Sequence, residues 1–186
     1  MNDEALERLF KLYHTPLVRY LTRRLGDRDW AEEVAQETFL RALRQESITS
    51  ERSWLFAVAT NLVRDEARKD QRRRGRLQLL ASEERAREEL RVDDPGNGTE
   101  EYEEYDAKRA LEMAMARKAV DALAERDRLA LLMREEGLDY HEIADALGLS
   151  FGSVGTTLAR ARRRLTESYE KLQAGDTRAE GTSGAS

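Results

Sequence analysis

Asp139-Tyr-His-Glu-Ile-Ala-Asp-Ala-Leu-Gly-Leu-Ser-Phe-Gly-Ser-Val-Gly-Thr-Thr-Leu158 is the stretch that decides how this chain folds. Asp139 followed three residues later by Glu142 is a capping box, so a helix starts at about Tyr140. Ala144, Gly148 and Val154 have the separations of a helix-turn-helix: a small residue where two helices meet, a glycine to turn the chain, and a branched residue anchoring the second helix. That second helix begins near Phe151 and runs to about Leu172. At about 100° per residue, Val154, Leu158, Ala161 and Leu165 point inward. Ser153, Thr156, Thr157, Arg160, Arg163 and Arg164 are expected to face out, where small polar groups can approach base edges and guanidinium groups can hold phosphates.

Working outward, helical periodicity extends back from the break at Glu136-Gly137 to about Ala107, which sets a second domain at residues 107–172. Before it, residues 77–106 read as a flexible acidic linker, broken at Asp93-Asp94-Pro95-Gly96-Asn97-Gly98-Thr99. Residues 173–186 are rich in Gly, Ser, Thr and Ala and are expected to be a disordered tail. The net charge of -5 looks unsuited to a nucleic-acid binder until it is divided along the chain. Residues 82–106 alone carry -8, against +3 before them and 0 after them. The chain has no cysteine and only two histidines far apart, which argues against disulfides and a metal site. Charged residues make up 37% and aromatics 6%, with two prolines, a balance that favours exposed helices over sheets. No apolar run reaches membrane-spanning length and no signal peptide is evident, so a cytoplasmic location without membrane insertion is expected.

The first domain, residues 1–76, also reads as helical. Leu6, Leu9, Phe10, Tyr13, Leu17, Tyr20, Leu21 and Leu25 recur at three and four residues, giving an amphipathic helix bent at Pro16 and ended by Gly26. A second helix, capped by Asp29, runs from about Trp30 to Leu43 with Ala31, Val34, Ala35, Thr38 and Ala42 inward. Its opposite face carries Glu33, Gln36, Glu37 and Leu40, a mixture of acid and exposed leucine that suits docking on a basic protein. A third helix starts near Trp54, with Leu55, Val58, Ala59 and Leu62 inward. Asn61, Arg64, Arg68 and Arg72 line its other side: a base-competent amide among phosphate-competent cations. Trp54 is either a platform for an unpaired base or a core residue.

Gly26-Asp-Arg-Asp-Trp-Ala-Glu-Glu-Val-Ala-Gln-Glu-Thr-Phe-Leu-Arg-Ala42 resembles the polymerase-binding segment of extracytoplasmic-function sigma factors, in the sigma-70 superfamily. Trp54-Leu-Phe-Ala-Val-Ala-Thr-Asn-Leu-Val-Arg-Asp65 resembles their promoter-melting segment, and the helix-turn-helix is similar to their last domain. The resemblance covers about Leu6 to Leu172, three motifs in order. It implies an all-α fold of two small helical domains, the second containing the helix-turn-helix. It implies that Glu33, Gln36, Glu37 and Leu40 dock on core RNA polymerase, at the coiled coil of its largest subunit. Asn61 and its neighbours would read the minus-10 element of promoter DNA, as duplex and as melted strand, and the last domain the minus-35 element. An anti-sigma protein is a further implied partner; no cofactor and no small-molecule substrate are. One departure is visible: Gly155-Thr156-Thr157 stands where the family commonly has Lys-Ser-Arg. Two cations are thereby missing, and glycine weakens the helix by about 1 kcal/mol relative to alanine.

Two other classes fit the sequence less well. A freestanding helix-turn-helix regulator fits the second domain, but has no use for the acidic, leucine-bearing face of the first. A catalytic protein using Glu32, Glu33 and Glu37 lacks convergent polar partners and a glycine-rich phosphate loop.

Overall fold

The structure, a computed structural model, describes the backbone of residues 3–80 and 100–182 and the side chains of residues 4–68 and 109–174. Among these residues the regular structure is entirely helical: α1 (Asp3–Leu25), α2 (Arg28–Leu43), α3 (Glu51–Leu80), α4 (Glu100–Asp121), α5 (Glu125–Glu135), α6 (Tyr140–Leu147) and α7 (Phe151–Thr182). The all-α reading therefore holds. Helices extend past several expected boundaries: α3 reaches Leu80, α4 takes in residues 100–106, and α7 continues to Thr182 beyond Gln173, where a disordered tail was expected. The break at residues 93–99 lies outside the described residues.

Local chemistry places most helix ends. Gly26 adopts φ 77°, a backbone state that a side chain disfavours, and turns the chain between α1 and α2. The cap of α2 is Asp27 rather than Asp29. Asp27 lies in extended backbone directly after the glycine, and its carboxylate accepts from the Trp30 amide at 3.0 Å, while Asp29 falls in the first helical turn. Helix α1 runs unbroken through Pro16. The break between α4 and α5 has no counterpart in the sequence reading, because its N-cap, Ala124, makes no side-chain bond to announce it. For α6, both bonds of the capping box form at 2.8 Å, and Gly148 closes the helix at φ 63°.

In the first domain Leu9, Leu17, Tyr20, Leu21, Ala31, Ala35, Leu55, Phe56 and Ala59 lose all exposure. Every residue of the expected inner stripe of α2 is buried, joined by Phe39. Two expectations change: Phe10 is 44% exposed, and in α3 the buried set includes Phe56, Thr60 and Val63, while Val58 and Leu62 are half-buried. Inside this core the Tyr20 hydroxyl meets Thr60 Oγ1 at 2.7 Å, satisfying both polar groups. Burial raises the Tyr20 pKa, so the phenol stays neutral.

The core does not end at the domain boundary. Leu129, Met133, Leu138, Ile143, Val154 and Leu158 of the second domain belong to the same buried cluster as Leu17, Leu21, Leu55 and Phe56 of the first. Helix α3 lies against α6, and α1 against α5. A separate small cluster, Leu123, Leu131 and Ala161 with Leu165, ties α5 to α7 on the far side. Arginines complete the contact from both sides. The Arg117 guanidinium occupies the space that a Cβ on residue 26 would need, and Arg52 reaches to within 3.2 Å of the corresponding position at Gly137, whose φ is 83°.

Candidate functional site

The predicted residues fall on three surfaces. On α2, Glu33, Gln36 and Leu40 are exposed, Leu40 at 52%, and Glu37 is half-exposed with its carboxylate accepting from Arg41 at 2.9 Å. An exposed leucine among carboxylates on a helix whose other side is fully packed has no internal task to perform. Helix α1 adds to this neighbourhood: Phe10 stacks on His14 with centroids 4.3 Å apart and lies 5.0 Å from Phe39, while His14 Nε2 sits 3.1 Å from Glu32.

On α3, Asn61 and Arg68 are exposed, and Arg68 lies 3.8 Å from Asp65. Trp54 is half-buried and packs against the shared core, so its ring is partly structural. Arg64 does not stand free: its Nε donates to Glu125 of α5 at 2.9 Å. Arg72 lies in α3, outside the described side chains. Glu125 also faces Arg24 at 3.4 Å. Desolvation pushes the Glu125 pKa up, but the Arg64 hydrogen bond and the charges of Arg64, Arg24 and Arg128 outweigh it and leave the pKa below the ordinary value.

The helix-turn-helix is formed as expected, with Ala144, Val154, Leu158 and Ala161 buried. Its outward face needs correction. Thr157 is 4% exposed and therefore belongs to the inner stripe. At 100° per residue it lies only 60° from Val154, so its angle places it inside although its hydroxyl suggested outside. Thr156 is exposed, and Ser153 is spent locally, its hydroxyl donating to the Ser150 carbonyl at 2.8 Å. Arg163 is exposed beside Glu167 at 3.6 Å. Arg160 and Arg164 both turn to Asp127 in the first turn of α5, whose side chain is 1% exposed. Arg160 donates to its carboxylate from Nη2 and from Nε, the latter at 2.9 Å to Oδ2, and Arg164 at 3.3 Å. The Arg160 hydrogen bond, with the charges of Arg160 and Arg164, holds the Asp127 pKa below its ordinary value against desolvation. These arginines thus serve first as a brace between α5 and α7.

Sequence reasoning passed over Phe151. It opens α7, is 51% exposed, and stacks on His141 of α6 with centroids 4.1 Å apart and planes 20° apart. Tyr140 flanks it at 6.4 Å, and Arg134 lies over the Tyr140 ring. An aromatic at the exposed first position of the second helix of a helix-turn-helix was the available signal. Among the described residues no cluster of His, Cys, Asp and Glu is arranged to hold a metal ion, and no helix is long and apolar enough to cross a membrane.

The described helices thus present an exposed acidic and apolar face on α2 and a helix-turn-helix at α6 and α7. Comparison with known proteins identifies the family. Residues 9–73 match the model of sigma-70 region 2, and residues 113–165 that of sigma-70 region 4. The ferric citrate uptake sigma factor FecI of Escherichia coli is 30% identical, over 84% of this chain and 86% of its own. The RNA polymerase sigma factor YlaC of Bacillus subtilis is 28% identical, over 90% of this chain and 94% of its own. Among solved structures, the sigma factor RpoE in complex with the anti-sigma factor NepR from Bartonella quintana superposes with a TM-score of 0.55 at 21% identity, covering 90% of this chain and 98% of that one. The chain belongs to the extracytoplasmic-function group of the sigma-70 family. It directs RNA polymerase to promoters, and the reading as a freestanding regulator falls away.

The brace at Asp127 makes stability depend on pH. A carboxylate whose folded pKa is depressed stabilises the fold above its unfolded pKa of about 3.9 and loses that contribution as pH falls through the folded value. Asp127→Asn should lower stability at pH 7 by about 1.5–3 kcal/mol, the range for hydrogen bonds to charged groups. It should also flatten the loss of stability on acidification. Urea unfolding between neutral and acid pH checks both; parallel curves for the two proteins would refute the assignment.

Proposed function

We propose that the two domains divide the work of initiation in chain order: residues 1–76 dock on core polymerase and read the minus-10 element, and residues 107–172 read the minus-35 element. The observation that carries this is the α2 surface of Glu33, Gln36, Glu37 and Leu40. It is exposed, acidic and apolar at once, and it stands on the helix matched to sigma-70 region 2. The leucine would be covered and the carboxylates paired by a basic protein surface. Asn61 contacts bases, Arg68 and Arg72 hold phosphates, and Trp54 uses its free edge against an unstacked base. In the second domain Thr156 and Phe151 face base edges and Arg163 grips the backbone. The chain acts as a non-catalytic subunit in the cytoplasm and needs no cofactor, since polymerase supplies the chemistry. An anti-sigma protein, such as the solved relative carries, is its regulator.

Replacing Glu33, Gln36 and Glu37 together by alanine should weaken binding to core polymerase by about 2–5 kcal/mol, as for charged partners removed from an interface. Helicity should be unchanged, because none of the three is buried. Undiminished co-purification would refute the docking assignment. Phe151 supplies a second prediction. A phenyl ring over a thymine methyl loses that contact when uracil replaces thymine, about 1 kcal/mol for one methyl group. Each thymine of the minus-35 element is replaced in turn and affinity is measured. One position should affect the parent and leave Phe151→Ala insensitive; a parent indifferent at every position would show that Phe151 does not face DNA.

A further inference from the structure

A cleft between α1, α3 and the start of α5 is lined by more positive charge than its own acid neutralises. It encloses about 480 Å³, a volume suited to a small molecule, and Arg24, Arg64, Arg68 and Arg128 line it beside a single carboxylate, Glu125. Arg24 is the most buried of the four: its side chain is 5% exposed, and its Nη1 donates to the Thr60 carbonyl at 3.2 Å. Arg64 Nε donates to Glu125 Oε1 at 2.9 Å and Arg24 Nη2 reaches the same oxygen at 3.4 Å, so two guanidinium groups share one carboxylate oxygen. Arg128 gives its Nη1 to Asp121 at 3.0 Å, but its Nε is buried without a hydrogen-bond partner. Arg68, at the exposed rim, lies 3.8 Å from Asp65.

Two further features distinguish this cleft from a solvated basic face. Helix α5 begins at Ala124 without a side-chain cap, and Glu125 and Arg128, at its start, border the cleft. An uncapped helix N-terminus carries free amide donors and the positive end of the helix dipole, which together favour a phosphate. The other feature is the withdrawal of Arg24 from water, which is costly unless its charge is well paired. Desolvation lowers the Arg24 pKa, and the charges of Arg64 and Arg128 lower it further, against the opposing effect of Tyr20 and Glu125. Glu125 is half-exposed and brings one charge to both arginines. A terminal phosphate brings nearly two charges and three acceptor oxygens. A phosphodiester inside a nucleic-acid strand brings one charge and is flanked on both sides by sugars, so it cannot follow Arg24 to the floor of the cleft.

We infer that this cleft binds the terminal phosphate of a small free anion, an inorganic polyphosphate or a nucleotide, with Arg24 and Arg64 as its guanidinium ligands and Glu125 as the carboxylate it displaces. Arg128 and the first turn of α5 close the site on the other side. The bound anion bridges α1 and α3 to α5, so binding raises the thermal stability of the chain.

Calorimetric titration of the full chain with inorganic pyrophosphate, at fixed ionic strength, tests the site. Binding should saturate at one anion per chain. Glu125→Gln should tighten it by about threefold or more, and Arg64→Gln should weaken it by about tenfold or more. Arg162→Gln, which removes the same charge from an exposed position on α7, should leave the affinity within about twofold. Absence of saturable binding, or equal losses in Arg64→Gln and Arg162→Gln, would overturn the inference. Glu125 is half-exposed, so its variant reports on the site even if Arg64→Gln disturbs the fold, and an affinity that Glu125→Gln leaves unchanged would also overturn it. Adenosine triphosphate and inorganic triphosphate separate the two sources: tighter binding of the first supports a nucleotide, and equal binding supports an inorganic anion. A single-stranded oligonucleotide without terminal phosphates should fail to displace pyrophosphate; displacement by it would overturn the assignment to a free anion.

Discussion

Glu136 is a carboxylate removed from water and surrounded by arginines from the other half of the chain. An ion withdrawn from solvent in this way contributes little net stability, because desolvation offsets most of the attraction. Removing one partner is different: it leaves a charge uncompensated and costs about 3–5 kcal/mol where both groups are buried, and less here because Arg19 and Arg23 are half-exposed. These ion pairs therefore fix how the domains meet more than they hold them together. Adhesion comes from the shared apolar cluster of Leu17, Leu21, Leu55 and Phe56 with Leu129, Met133, Leu138 and Ile143.

The second domain shows the same economy of charge. Asp127 draws Arg160 and Arg164 inward and so braces the reading helix against α5. On the proposed minus-35 surface fewer cations then remain to release counterions from DNA. Weak grip on the minus-35 element is workable for a domain that polymerase tethers beside its target, where effective concentration replaces intrinsic affinity. The aromatic group of Phe151 and His141 then gives shape to a surface poor in charge.

What was legible in the sequence is what local chemistry decides. Asp139, Glu142 and Gly148 define α6 within nine residues of one another, and the buried stripe of α2 follows from its period alone. The misreadings have equally physical origins. Thr157 was placed outside because a hydroxyl suggests water, although its angle from Val154 puts it inside. Asp29 and Asp27 are both competent caps, and only the positive φ of Gly26 decides between them. Ala124 gives no signal at all for the start of α5. The role of Arg64 was half legible. Its position on α3 follows from the helical period, but Glu125 lies 61 residues away and no pattern along the chain links the two. Glu136 was likewise read only as part of a turn, since a charged residue beside glycine is ordinarily solvated.

The central claim is that this chain joins core RNA polymerase to promoter DNA, docking through α2 and reading two promoter elements with its two domains. It is tested most directly by transcription with core polymerase from a promoter carrying both elements, each element being scrambled in turn. The chain should direct initiation at one defined start, and scrambling either element should lower initiation at least tenfold. Initiation indifferent to both elements would contradict the account.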